Sequence, residues 1–135
     1  MLKGTVKEVN DEIFADVTFH GAYEPKRCVR TQRWKYIRHF DGRARAVLTN
    51  CDPSPSKTVW EQYGWHGRYV APEQLYDLVF DPNEVSNLIG DPSLQPVANE
   101  MRDRLQRWMT LTKDPLLDGP VTPPPGSRQY DPDGD

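Results

Sequence analysis

The chain has 135 residues, a mass of 15.6 kDa, a formal charge of -3 and a mean hydropathy of -0.79, which suits one domain with a modest core and argues against a second independent one. No run approaches the roughly 20 apolar residues of a membrane span, and the acidic balance excludes a chain drawn to nucleic acid by its overall charge. A hydrophobic fraction of 36% is low for a folded chain, so either the ends are disordered or some surface rests against a missing partner.

The N-terminus, MLKGTVKEVNDE, lacks the apolar h-region of a signal peptide. Residues 13–20 alternate, with Ile13, Ala15, Val17 and Phe19 on one face and Phe14, Asp16, Thr18 and His20 on the other, which predicts a half-buried strand. After GAYEP, residues 27–31 and 34–40 form two extended runs separated by Gln32 and Arg33. That spacing predicts a tight hairpin even though the Asn-Gly type of turn signal is missing. In its second run Trp34, Tyr36, Arg38 and Phe40 share a face.

Between residues 41 and 71 the pattern dissolves into a long connection with a Pro/Ser-rich centre; loops beyond about 12–15 residues are usually functional or disordered. Trp60, Tyr63 and Trp65 argue that part of it packs, with a short helix around residues 57–63. Residues 74–80 (QLYDLVF) read as a further strand, stopped by Asp81-Pro82. Asp91-Pro92 offers a helix entry, and the regular helix is expected over residues 96–111, with Val97, Met101, Leu105, Trp108 and Leu111 as its buried stripe. Glu100-Arg104 and Asp103-Arg107 stand at i,i+4 spacing on the wet side. Residues 115–135, rich in Pro and Gly, are too poor in apolar side chains to order themselves without a partner. The elements in order predict an α+β fold: a small antiparallel sheet of about four strands against one long C-terminal helix, with a long irregular loop over 41–71 and a disordered-looking tail. The domain is expected to span residues 1–114.

Few residues offer chemistry by type and spacing. Cys28 and Cys51 show no metal-ligand spacing and read as two free thiols. His39 and His66 have no second ligand at helical or strand spacing, so no metal site assembles. Lys26, Arg27, Arg30, Arg33, Lys35, Arg38, Arg43 and Arg45 form a basic cluster interleaved with Trp34, Tyr36 and Phe40. The alternation spreads these charges over both faces of the hairpin, which fits a solvated hairpin better than a nucleic-acid platform. Asp81, Glu84 and Asp91 read as turn and cap residues.

The stretch beginning PEQLYDLVFDPNEVSNLIGDP and ending WMTLTKDP resembles the C-terminal subdomain of the sulfatases, alkaline-phosphatase-like enzymes that hydrolyse sulfate esters and sulfamates. There the usual form is an LYDL strand, a DPxExxNL turn, a second acidic-Pro pair and a long helix ending near a Trp. The resemblance extends over residues 9–125, and HGAYEPKR with CVRTQRWKYIRHF is similar to the heparan N-sulfatase (sulfamidase, N-sulfoglucosamine sulfohydrolase) branch. It implies a chain that braces a missing N-terminal catalytic domain and forms part of the cleft for a sulfated saccharide such as a glycosaminoglycan, without being catalytic alone. The substrate contacts it implies are His20, Tyr23, Glu24 and Arg27, which supply a donor, a stacking ring, an acceptor and a cation; each also has a plain reading as a solvated or ion-paired side chain. No cofactor is expected in this chain, whereas the parent enzyme is expected to use calcium and a formylglycine. A sulfatase C-terminal subdomain lies far from its own N-terminus, so the missing leader does not locate the parent, for which the periplasm or secretion is the expectation. Cys51-Asp52-Pro53-Ser54-Pro55 is similar to the CxPSR motif that yields formylglycine, but Pro55 stands where the motif needs Arg, the cation that steadies the anionic nucleophile. Cys51 is therefore expected to be a loop cysteine. The alternative is a free-standing module that binds an anionic polysaccharide or protein through the hairpin.

Overall fold

The computed structural model describes residues 10–134; residues 1–9, which open the expected domain span, and residue 135 lie outside it. Four strands, β1 (Glu12–Phe19), β2 (Tyr23–Thr31), β3 (Trp34–His39) and β4 (Glu73–Asp77), form one antiparallel sheet in the order β1-β2-β3-β4. Two helices, α1 (Pro55–Gln62) and α2 (Gln95–Thr112), complete an α+β fold. No helix among the described residues is long and apolar enough to cross a membrane.

The hairpin turns at Gln32-Arg33 without glycine because Thr31 does the work of the turn signal: its hydroxyl accepts from the Trp34 N–H at 2.9 Å and faces the Trp34 carbonyl at 3.3 Å. β2 starts earlier than the sequence suggested. The register shifts between Val17 and Phe19, so Pro25 sits at a bulge where its missing N–H costs no ladder bond, and its carbonyl accepts from Phe40 N–H at 2.9 Å. β4 stops sooner than expected, at Asp77, whose carboxylate takes Arg33 at 2.8 Å and the Val79 N–H at 3.2 Å. The chain therefore turns, and Phe80 is left 80% exposed. The outer edge of β4 is covered by the following DPNEVSNL turn, where Asn87 accepts from Leu75 N–H at 2.9 Å and Leu88 N–H donates to the Leu75 carbonyl at 2.8 Å.

Pro96 lies in the first turn of α2, where its N–H would have had no partner, and a short 3-10 turn over Pro92–Leu94 absorbs the clash that a helix running from Pro92 would have met. The helix buries Ala98, Met101, Leu105 and Met109 against Val29, Tyr36 and Leu75. Leu111, expected on the buried stripe, is 83% exposed. At about 100° per residue it lies far round the cylinder from Leu105, and Met109 takes its place. Val97 and Trp108 flank the core, and Trp108 stacks on Phe14 with ring centroids 5.0 Å apart.

That stacking settles which face of β1 meets the helix, a choice the alternation left open. Phe14, not Ile13, points to the helix, and Ile13 is 55% exposed. The helix side carries the row Phe14, Val29, Tyr36, Leu75, while the other side carries Ala15, Cys28, Ile37, Gln74. Apolar residues occupy both faces of β1, so alternation alone left the choice open. On the helix side the buried Tyr36 phenol is pushed up to about 12, chiefly by burial and then by Glu73.

The end of α2 places one more group. Lys113 turns left-handed at φ 54°, and the Asp114 N–H donates back to the Met109 carbonyl at 2.8 Å, closing the helix with a Schellman-type reversal. Asp114 is thereby aimed under the sheet at Arg27, with Nε to Oδ2 at 2.5 Å and Nη2 to Oδ1 at 3.0 Å. After Leu117 the described residues of the tail form no further helix or strand; they run back along the loop, with Leu48 N–H donating to the Pro132 carbonyl at 3.2 Å and Arg43 pairing with Asp133 at 2.6 Å.

Candidate functional site

Of the residues singled out as substrate contacts, His20 lies in the turn joining β1 to β2 and Tyr23, Glu24 and Arg27 lie on β2; the 41–71 loop fastens the turn. Asn50 Oδ1 accepts from both Gly21 N–H and Ala22 N–H at 2.8 Å, and Asn50 Nδ2 donates to Glu24 Oε2 at 2.9 Å. The approach favours glycine: a Cβ on Gly21 would lie a tight 3.1 Å from the Thr49 carbonyl. From the other side the tail adds a bond from Tyr130 N–H to the Gly21 carbonyl at 3.2 Å.

The four predicted residues do not converge. His20 is exposed and lines a concavity of about 410 Å³ shared with Lys57 and Tyr130. Glu24 is half-buried, held by Lys26 at 2.8 Å and by Asn50, and lines a neighbouring concavity of about 570 Å³ on the helix-free face of the sheet. Tyr23 packs against Phe19 with the rings tilted, centroids 5.0 Å apart, and its hydroxyl accepts from Val121 N–H at 3.2 Å, on the helix side. Arg27 is 2% exposed. All its N–H groups donate within the chain: to Asp114, to the carbonyls of Val17 and Lys26, and to Thr18 Oγ1. The two-residue period of β2 separates Tyr23 and Arg27 from Glu24; the sequence reading, which began this strand at Arg27, did not include Tyr23 and Glu24 in it.

Asn50 and Lys57 escaped sequence reasoning. Asn50 sits in an irregular stretch, and its partners are fixed only by tertiary register. For Lys57 a signal was present: Ser54-Pro55 is an N-cap followed by a first-turn proline, and Ser54 Oγ accepts from Lys57 N–H at 3.1 Å. α1 begins at Pro55, slightly earlier than the expected helix, and this places Lys57 inside its first turn. Asn50→Ala removes three hydrogen bonds to the β1–β2 turn. It should cost about 1–3 kcal/mol in denaturant unfolding and speed amide exchange at Gly21 and Ala22.

The remaining candidates are plainly placed. Cys28 and Cys51 are free thiols; burial, above all, pushes the Cys28 thiol up, with Glu84 adding to it and Lys35 and Arg30 opposing, which leaves it a poor nucleophile. Cys51 precedes α1, and Pro55, at the position the motif gives to Arg, is the first residue of that helix. Burial and then Lys26 hold His39 below the usual histidine range against Asp41 and Glu24. Asp91 and Asp81 accept from the Ser93 and Ser86 N–H groups, whereas Glu84 pairs with Lys35 at 2.6 Å. Among the described residues no three His, Cys, Asp or Glu side chains come together to hold a metal, so the residues present do not fit a calcium ion. The basic cluster is largely neutralised within the chain, Lys26 by Glu24, Arg27 by Asp114, Arg33 by Asp77, Lys35 by Glu84 and Arg43 by Asp133.

Sheet, cross-lying helix and loop-held turn together are similar to a part of several sulfatases. An ulvan-active sulfatase of Formosa agariphila is 28% identical over 144 aligned positions, covering 100% of this chain and 29% of the relative. Human N-sulphoglucosamine sulphohydrolase is 34% identical over 73 residues, 54% of this chain and 14% of its own length. In fold, the crystal structure of a putative sulfatase from Bacteroides thetaiotaomicron superposes with a TM-score of 0.58 at 21% identity, covering 96% of this chain and 23% of that one. No protein-family profile matches the chain. The chain thus spans less than a third of the length of these relatives.

Proposed function

We propose that this chain braces the catalytic domain of a sulfatase acting on a sulfated or N-sulfated saccharide, in the manner of the sulfamidase branch, and contributes to the rim of its substrate cleft. The observation that carries this reading is coverage: the relatives align with the whole of this chain or a large part of it, while the chain accounts for a small share of theirs. The parent's formylglycine and calcium belong to the domain outside this chain. The exposed side chains of Trp60, Tyr63 and Tyr69 in the loop, at 56%, 87% and 68%, favour a surface that is covered in the complete protein. His20 and Glu24 line the concavities that face the cleft in this reading; Tyr23 and Arg27 shape the segment that presents them.

The chain alone should not hydrolyse 4-nitrophenyl sulfate. Turnover above background that disappears in Cys51→Ala would overturn the proposal. A free-standing polysaccharide binder would instead show strong heparin retention that falls with Arg30→Ala or Lys35→Ala; the internal pairing of most of the basic cluster argues for weak retention.

A further inference from the structure

The tail is fixed at its two ends and free between them. Leu116 and Val121 pack on the core, and the Val121 N–H donates to the Tyr23 hydroxyl at 3.2 Å. Residues 122–129 are exposed throughout. Among the described residues their hydrogen bonds stay within the segment, from Ser127 to the Pro124 carbonyl and from Gln129 to Ser127 and Arg128. Beyond them the chain docks again. The Tyr130 N–H donates to the Gly21 carbonyl and the Leu48 N–H to the Pro132 carbonyl, each at 3.2 Å. The Thr49 hydroxyl donates to the Asp131 carbonyl and lies 3.1 Å from that of Gly134, while Arg43 takes Asp133 with Nη2 to Oδ1 at 2.6 Å and Nη1 to Oδ2 at 3.4 Å. A receptor for an extended peptide uses the same kinds of contact: main chain on main chain, a hydroxyl on carbonyls, a guanidinium fork on a carboxylate.

Hydrophobic burial holds little of this docked end. Its large side chain, Tyr130, is 44% exposed, and among the described residues the core takes nothing beyond Val121. What remains is a set of hydrogen bonds and one exposed ion pair. Each such bond adds little in net terms, an exposed pair adds less, and ordering every residue costs entropy of comparable size. Docked and released forms of residues 130–134 therefore lie near balance, and the core is indifferent to which is populated. Release uncovers an acceptor at Gly21, donors at Leu48 and Thr49, and a cation at Arg43. The Arg43 Nε is buried without a hydrogen-bond partner, so Asp133 does not exhaust its donors. That end of the groove is positive in character: against a smaller desolvation, the Arg43 hydrogen bond, then its charge with those of His66 and Arg45, holds the Asp133 carboxyl below its ordinary value.

We propose that the groove formed by Gly21, Arg43, Leu48 and Thr49 is a recognition site for an extended acidic peptide, occupied reversibly by this chain's own residues 130–134. The spacer over residues 122–129 can reach about 26 Å when extended, and Pro123, Pro124 and Pro125 favour an extended form. Such a tether keeps the segment at an effective concentration in the millimolar range. A groove too weak to hold a free peptide at low concentration is thereby filled from its own chain.

The test is amide NMR on the full chain. The Tyr130, Asp133 and Gly134 amides should report exchange between docked and released forms and move toward random-coil shifts as salt rises to about 1 M, where the screening length is about 3 Å. The Met109 amide, in the core, should not follow them. A synthetic peptide of residues 127–134 at millimolar concentration should displace the tail and drive the same amides further toward random-coil values. In Asp133→Asn, at an exposed position that leaves the core intact, the ratio of docked to released tail should fall about threefold, and a peptide carrying that change should displace less. The proposal is overturned if the tail amides exchange with solvent as slowly as Met109 and ignore both salt and peptide, since the segment would then be a fixed part of the fold. Random-coil shifts at low salt, or an Asp133→Asn chain that docks as the parent sequence does, would overturn it equally. Docking that strengthens with protein concentration would place a second copy's tail in the groove and end the assignment to the chain's own segment.

Discussion

Arg27→Ala should lower the unfolding free energy by about 3–5 kcal/mol, the largest single effect expected in this chain. Arg27 and Asp114 have side chains 3% and 4% exposed, so deleting the cation leaves a carboxylate buried with no counter-charge. The loss comes from that orphaned charge more than from the worth of the pair, and replacing both partners by apolar residues, as in Arg27→Met with Asp114→Leu, should recover much of it. Urea unfolding of the two single variants and the double variant measures this directly; a single-variant loss below about 1 kcal/mol would show that water reaches the pair.

The same pair carries a pH signature. Burial pushes the Asp114 carboxyl up, but the hydrogen bonds from Arg27 and from the Leu116 N–H, with the Arg27 charge, outweigh it and hold the carboxyl below its ordinary value. Its folded form therefore binds a proton less readily than its unfolded form. The stabilisation is complete above the ordinary aspartate value of about 3.9 and is lost as pH falls through the lower folded value. In Asp114→Asn that part of the acid dependence should disappear.

Leu105→Ala should cost about 2–5 kcal/mol, because Leu105 is 2% exposed at the centre of the contact among α2, β2 and β3. Leu111→Ala, on the same helix, should change stability by about 0.5 kcal/mol or less. Thermal or urea melts of the two variants separate a core position from a surface one that share residue type and helix. Equal losses would mean that the exposed end of α2 is covered in the protein as it exists in solution.

That contrast marks how far the sequence could be read. Helix, strands and their order follow from period and punctuation: Gln95–Thr112 has one apolar stripe, and the QLYDLVF run holds a strand, although it ends at Asp77 and not at Asp81-Pro82. Which apolar residues occupy the interface is harder. Leu111 was attractive by type but lies off the stripe by helix geometry, and with apolar residues on both faces of β1 the choice of Phe14 for the helix side came from its stacking on Trp108. For the candidate site, HGAYEPKR supplied residues of suitable type. Its alternation sends Glu24 to one face and Arg27 to the other, so the four residues form no single cluster. Asn50 gains its meaning from Gly21, Ala22 and Glu24, distant in sequence, and local pattern holds no trace of such partners.

The Arg27–Asp114 contact closes a separation of 87 positions, and this has a bearing on synthesis. A ribosome delivers β2, with its arginine, well before it delivers the turn after α2 that holds the aspartate. During that interval the sheet has its hairpin pairing but an unneutralised cation on the face it must bury. The meander can form early; docking of α2 over it must wait for the last part of the chain. Nascent chains halted before Asp114 should therefore remain open on that face and attractive to chaperones, since exposed apolar strands are what such factors recognise.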